Sequence, residues 1–302
     1  MPAYLPPLRH PVRRIGARTL DFSRQVAVMA VVNRTPDSFF DQGRTFALDK
    51  AVQAVLAAAA DGADWVDIGG VPFAPGPELP WEAEAERVVP VIEAVRAAGS
   101  DVIVSVDTFS ARVAAAAIEA GADVINDTTG LSDPELAPLV AGSAAHLVVT
   151  HSLAAPRTVY PRPSYEDVAG DVAATLRERV AAAVAAGVPE ERIMIDPGHD
   201  LNKNTVDSLR LTREFSRIAE IGLPALAAVS NKDFIGETLD LDKPERLPGS
   251  LAAAVACLHE GARILRMHHA AASVQAARMF EAICGWREPA YQRHNMGEVN
   301  VP

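Results

Sequence analysis

The feature that most constrains this chain is an alternation repeated eight times. Short apolar runs fall at Val26–Val32, Trp65–Ile68, Val102–Val106, Asp123–Ile125, His146–Thr150, Arg192–Ile195, Pro224–Val229 and Arg263–Met267. They are nearly continuous in apolar residues, the pattern of strands buried on both faces of a parallel sheet. Longer, mostly Ala-rich runs separate them, at Leu48–Asp61, Glu82–Ala97, Ala111–Ala120, Pro134–Ala141, Tyr165–Ala186, Thr205–Ile221, Ser250–Glu260 and Ser273–Ile283. Their length and composition predict helices, several closed by a glycine such as Gly121 or Gly261.

Eight strand–helix units predict an α/β chain folded as a (β/α)8 TIM barrel. The barrel is expected over residues 26–285, with an N-terminal elaboration over 1–25 and a polar tail over 286–302. A length of 302 residues fits, since such barrels run to ~250 residues. A doubly wound open sheet is the other fold with this alternation. No G-x-G-x-x-G follows the first strand, which weighs against its dinucleotide-binding form.

Composition narrows the function classes. The net charge of −11 argues against a general binder of nucleic acid or anionic membranes. Two cysteines, Cys257 and Cys284, support neither a disulfide framework nor a Cys-rich zinc site. With no long apolar run, the expectation is a cytoplasmic protein that binds a small molecule. Lysine occurs only four times, at 50, 203, 232 and 243, among 28 basic residues. A chain that defaults to arginine keeps lysine where a compact ammonium is wanted.

In a barrel, chemistry gathers at the carboxyl ends of the strands. Here all eight end in polar groups: Asn33, Asp67, Asp107-Thr108, Asn126-Asp127, His151, Asp196 through Asp200, Ser230-Asn231-Lys232, and Arg266 with His268. Helix capping accounts for Thr35, Thr108 and Ser110. It does not account for Lys232, Arg266 or His268, which are poor caps. Asp107, Asn126, Asp196 and Lys232 combine acceptors and donors in the mixture needed by a flat heterocycle with an aminopyrimidinone edge. Asn33 adds an amide oxygen for a hard cation, and Arg266 and His268 add donors for phosphate. His199 and His269 raise the idea of a metal or acceptor site, though without a ligand spacing.

These residues resemble the dihydropteroate synthase family. Val31-Val32-Asn33-Arg34-Thr35-Pro36-Asp37-Ser38-Phe39 is similar to its first-strand signature. Asp67-Ile68-Gly69-Gly70, Ser105-Val106-Asp107-Thr108, Ile125-Asn126-Asp127, Ile195-Asp196-Pro197-Gly198, Ser230-Asn231-Lys232 and Arg266-Met267-His268 follow in the family's order. The resemblance implies a barrel, usually dimeric, that joins 6-hydroxymethyl-7,8-dihydropterin pyrophosphate to p-aminobenzoate in folate biosynthesis. By resemblance, Asp107, Asn126, Asp196 and Lys232 would hold the pterin. Asn33 would coordinate Mg2+ on the pyrophosphate, and Arg266 and His268 would bind its phosphates. Catalytic work would fall to Asn33, Lys232, Arg266 and His268.

The departures cluster on the p-aminobenzoate side. Phe73 and Ala74 stand where the family has Thr and Arg, Leu201 where it has a stacking Phe, and Asn231 where it has an Arg. The pattern looks like the divergent second paralogue branch of actinobacteria, commonly labelled inactive. The expected function is therefore a pterin-binding relative with little or no synthase activity. The alternatives are a functional synthase or a transferase with another acceptor, for which Lys203, His199 and Asn33 would support leaving-group activation, and a non-catalytic partner using Phe73 and Trp81. A methyltetrahydrofolate-dependent methyltransferase domain fits less well, because its substrate carries no pyrophosphate.

Overall fold

A computed structural model of the chain describes residues 3–33, 43–71, 76–154, 157–158 and 162–295. Eight parallel strands form a nearly closed barrel: β3 (Ala27–Asn33), β4 (Trp65–Gly69), β5 (Ile103–Asp107), β6 (Val124–Asp127), β7 (His146–Thr150), β8 (Ile193–Asp196), β9 (Leu226–Ala227) and β10 (Ile264–Met267). β10 pairs with both β3 and β9, and a bridge from Ile195 to Ala225 brings the ends of the sheet together. Helices follow the strands around the outside: α1 (Gly43–Ala60), α2 (Trp81–Ala97), α3 (Ala111–Glu119), α4 (Leu136–Ala141), α5 (Val168–Ala185), α6 (Thr205–Arg213), α7 (Ser216–Ala219), α8 (Asp233–Leu239), α9 (Leu247–His259) and α10 (Ala270–Ile283). This is the (β/α)8 fold expected from the alternation.

Strand periodicity explains how a continuous apolar run serves two cores. In β4, Val66 and Ile68 pack outward with Val55, Val88 and Val91 beneath the helices. Trp65 instead joins Met29, Ile103, Val124, Val148, Met194, Leu226 and Ile264 inside the barrel. Successive side chains on a strand point to opposite faces, so the next inward position after Trp65 is Asp67. The same step leads from Ile103 to Ser105 and Asp107, from Val124 to Asn126, from Met194 to Asp196, and from Ile264 to Arg266. The interior therefore changes from apolar to polar along its own axis.

The amino end of that interior is closed by a hairpin, β1 (Val12–Ile15) and β2 (Arg18–Asp21), paired antiparallel. Its Ile15, Leu20 and the following Phe22 join the inner cluster. The turn depends on Gly16, whose φ is 58° and where an added Cβ would lie 2.3 Å from Asp123 Oδ1.

Three local expectations need correction. The predicted helix over 205–221 is two helices, because the chain turns at Glu214 to bury Phe215 against His199. The predicted strand over 224–229 pairs only at Leu226–Ala227. α8 was not anticipated: its seven residues carry too few turns for a periodic signal. Among the described residues, no helix is long and apolar enough to cross a membrane.

Candidate functional site

The polar inward residues meet at the carboxyl end of the barrel, around one guanidinium. Arg266 on β10 donates from Nε to Asp67 Oδ2 at 2.7 Å and from Nη2 to Asp107 Oδ2 at 2.9 Å. Asp67 is 0% exposed. It accepts further bonds from Asn126 Nδ2, at 3.0 Å, and from Ser105 Oγ, which also accepts from Trp65 Nε1 at 3.1 Å. Charged partners and hydrogen bonds are what make a fully buried carboxylate tolerable.

This arrangement orients Asn126. An ionised carboxylate only accepts, so Asn126 must turn its NH2 group toward Asp67. Its Oδ1 is buried and has no protein partner. The outcome is a fixed, buried acceptor on the strand beside Asp107. Burial pushes the Asp107 carboxyl up to about 7, with Arg266 opposing and the nearby Asp67 and Glu84 adding to the rise. Burial works against the charge on Arg266, but Asp67 and Asp107 outweigh it and hold the guanidinium above its usual range.

Asp196, at the end of β8, is buried and accepts a 2.7 Å bond from the Gly198 amide. Burial also raises its carboxyl, against Gly198, Lys232, Arg266 and Lys203. Lys232 occupies the N-cap position of α8, but its side chain makes no capping bond. Asp200 supplies that cap, accepting from Asp233 N at 2.6 Å and Phe234 N at 3.4 Å. Burial holds the Lys232 ammonium below its usual range; Asp200, Asp196 and Asp107 act to restore it. Lys232 thus belongs electrostatically to the same centre as Asp107, Asp196 and Arg266.

Asn33 ends β3 at the rim, and its Oδ1 lies 3.2 Å from where a Cβ on Gly69 would stand. The absence of a side chain at Gly69 lets that oxygen approach the β5 end. His268 follows the neighbouring strand β10, its Nδ1 3.0 Å from Ser230 Oγ. Partial burial, with Arg266 and Lys232 nearby, keeps its imidazole below the usual histidine range. All seven predicted site residues therefore belong to the carboxyl end of the barrel. Asp107, Asn126 and Arg266 are joined directly or through Asp67, Asp196 and Lys232 lie beside them, and Asn33 and His268 occupy the rim.

Two sequence-based ideas fail on geometry. His199 is fully buried, stacked between Phe215 and Phe234 with Nε2 3.2 Å from Thr212 Oγ1, so it is a core residue and not part of an acceptor site. Lys203 does not face the mouth as a leaving-group activator, because its ammonium is directed into the protein. Among the described residues, no group of three or more His, Cys, Asp or Glu is placed to hold a metal ion. Phe73 and Ala74, and the stretch Arg34 to Phe39, lie outside the described residues. The organising role of Asp67 was missed. The signal was present in the two-residue step from Trp65, which puts Asp67 inside the barrel. Ser110 caps α3 as its residue type suggested, accepting from Val113 N.

A family model described as pterin binding enzyme matches residues 29–268, from within the first barrel strand to just past the last, and includes the seven predicted site residues. The chain belongs to this pterin-binding family. Its relatives are dihydropteroate synthases and their homologues. The "Inactive dihydropteroate synthase 2" of Mycobacterium bovis is 47% identical over 267 residues, covering 87% of this chain and 84% of that protein. The dihydropteroate synthase of Escherichia coli is 35% identical over 262 residues, covering 86% and 93%. A solved dihydropteroate synthase from Xanthomonas albilineans with 4-aminobenzoic acid is 38% identical, with a TM-score of 0.84 over 90% of this chain and 98% of that one. This pterin-binding homologue thus shares its barrel fold with the synthases.

Proposed function

We propose that this chain binds 6-hydroxymethyl-7,8-dihydropterin pyrophosphate at the barrel mouth and has little or no synthase activity with p-aminobenzoate. The observation that carries the reading is Asn126: its amide is oriented by Asp67, leaving a buried, unpartnered acceptor beside Asp107. A pterin edge presents an amino group and ring N–H groups next to a ring carbonyl. Asp196 takes the paired N–H donors, Asn126 Oδ1 and Asp107 take others, and Lys232 donates to the ring acceptors. Arg266, held by two carboxylates, places a lasting positive charge beneath the ring and the pyrophosphate. His268 meets the phosphates from the rim.

Mg2+ fits as a passenger of the pyrophosphate. It keeps several waters and binds through few protein ligands plus substrate phosphates. Asn33 Oδ1 is one hard oxygen at the rim, and the described residues offer no all-protein cage. When bound, the ion would neutralise developing charge on the leaving pyrophosphate. The protein's own share is to hold the ring, set Lys232 and Arg266 against the phosphates, and orient the methylene carbon.

The acceptor side supports the second half of the reading. Leu201 offers no ring to stack on an arylamine, and such a pair contributes roughly 0.5–1.5 kcal/mol. Asn231 replaces a guanidinium with a neutral amide, removing a charge-assisted bond of about 1.5–3 kcal/mol to a carboxylate. Only the backbone of Asn231 is committed locally, its N–H donating to Ser250 Oγ at 3.0 Å and its carbonyl accepting from Arg246 at 3.1 Å, while its side-chain Oδ1 is buried without a partner. We further propose a homodimer in the cytoplasm, as in the family resemblance.

Pyrophosphate release tests the reading. With pterin pyrophosphate, Mg2+ and p-aminobenzoate, release is expected to stay at the level seen without p-aminobenzoate. Release at the rate of an ordinary synthase run in parallel would refute it.

A further inference from the structure

The loop after β8, residues 197–204, touches three parts of the site. Asp200 caps α8 next to Lys232. Asn202 Oδ1 accepts from Leu153 N at 2.7 Å and Ser152 Oγ at 3.2 Å, tying the loop to the segment after β7. Gly198 N donates to Asp196 Oδ1. Within five residues, Gly198, Asp200 and Asn202 all have positive φ, at 66°, 63° and 55°. Such a path is disfavoured for non-glycine residues, and it persists only where surrounding contacts over-determine it.

Lys203 supplies those contacts. It is 6% exposed, and its Nζ lies 2.9 Å from Gly198 O, 2.9 Å from Leu201 O and 3.0 Å from His151 Nδ1. An ammonium has three donors and no acceptor, so these three partners use it completely. With Lys203 as an ammonium, the bond to His151 makes Nδ1 the acceptor and puts the ring proton on Nε2, which is buried without a protein partner. The bond to Gly198 O holds the residue whose own N–H orients Asp196. There is no slack at that residue: a Cβ on Gly198 would lie 2.3 Å from His151 O. His151 N in turn donates to Asp196 O at 2.8 Å, extending the β7–β8 ladder into the loop.

We propose that Lys203 is a positioning residue that sets the Asp196 carboxylate for its ligand, acting through Gly198 and braced on His151. The proposal rests on the pterin reading for the identity of that ligand, but its structural half does not. Arg179, Asp196, Asp200 and Lys232 are the other charged groups that act on Lys203, and Arg179 also acts on His151. Burial keeps Lys203 low, at about 7, and His151 well below the histidine range, so His151 stays neutral and acts only through its tautomer.

The test uses the full chain with Lys203→Met, and His151→Leu as a second variant should the first fail to fold. In ligand-free protein below pH 7, where Lys203 is an ammonium, 15N spectra of wild-type His151 are expected to show a single Nε2–H tautomer. Lys203→Met is expected to shift the Nδ1 resonance and mix the tautomers. Its ligand-free crystal structure is expected to show the Gly198–Asp196 bond broken. Titration with 6-hydroxymethylpterin pyrophosphate and Mg2+ is expected to show at least a tenfold rise in Kd for either variant. An unchanged loop and Asp196 carboxylate in a folded variant overturn the proposal, as does an unchanged Kd. If wild type binds no pterin, the function reading fails, and the ligand-free structure alone decides the role of Lys203.

Discussion

At the residue scale, the centre of this protein is one guanidinium shared by two carboxylates. Arg266 is what makes a buried Asp67 tolerable. Arg266→Met would leave that charge uncompensated and is expected to lower unfolding free energy by about 3–5 kcal/mol in urea denaturation. Adding Asp67→Asn should restore much of the loss; no recovery in the double variant would show that Asp67 is not the strained partner. Asp107 makes a different prediction. Its pKa is 3.8 in an ordinary environment and about 7 here, so the folded chain binds this proton more tightly than the unfolded one. Its contribution to stability is therefore lost as pH rises from about 4 to 7. Asp107→Asn stays neutral, so its Tm relative to wild type should climb over that interval and level off above it. A gap that is flat with pH would contradict the assigned burial.

At the element scale, what could be read in the sequence was what repeats. Apolar strand runs and helical runs, several closed by glycine, alternate eight times, and two-residue periodicity carries Asp107, Asn126, Asp196 and Arg266 to the polar end of the same interior. What could not be read was held by single contacts between distant segments. α8 is too short to announce itself, and its cap, Asp200, comes from another loop 33 residues away. Asp196-Pro197-Gly198 was legible as a motif, yet nothing in it reveals that Lys203 folds back to hold Gly198. The hairpin of residues 12–21 showed only as extra chain, because its apolar side chains are few and its role is to plug the barrel. Asp200→Ala tests the capping assignment. It is expected to cost about 1 kcal/mol of stability and, by loosening the turn that bears Lys232, to weaken pterin binding as well. A variant with unchanged stability and binding would remove Asp200 from the account.

At the scale of the whole molecule, the barrel divides its interior between two tasks. The amino half is apolar and sealed by Ile15, Leu20 and Phe22; the carboxyl half is a hydrogen-bonded polar floor opening to the mouth. That division lets a rigid scaffold carry buried charge without losing its core. On the proposed reading, the pterin side is formed mainly at strand ends, by Asp107, Asn126, Asp196 and Arg266. Loops tolerate sequence change more readily than strands: Leu201 and Asn231 depart from the family motifs in loops, while Asp107, Asn126 and Asp196 remain at strand ends and Lys232 remains at the start of α8. The most direct measurement is calorimetric titration of wild type and Asp196→Asn with 6-hydroxymethylpterin pyrophosphate and Mg2+, with and without p-aminobenzoate. The account predicts binding by wild type, loss of that binding in Asp196→Asn, and no turnover heat when p-aminobenzoate is added. Absence of binding by folded wild type, or binding indifferent to Asp196, would contradict it.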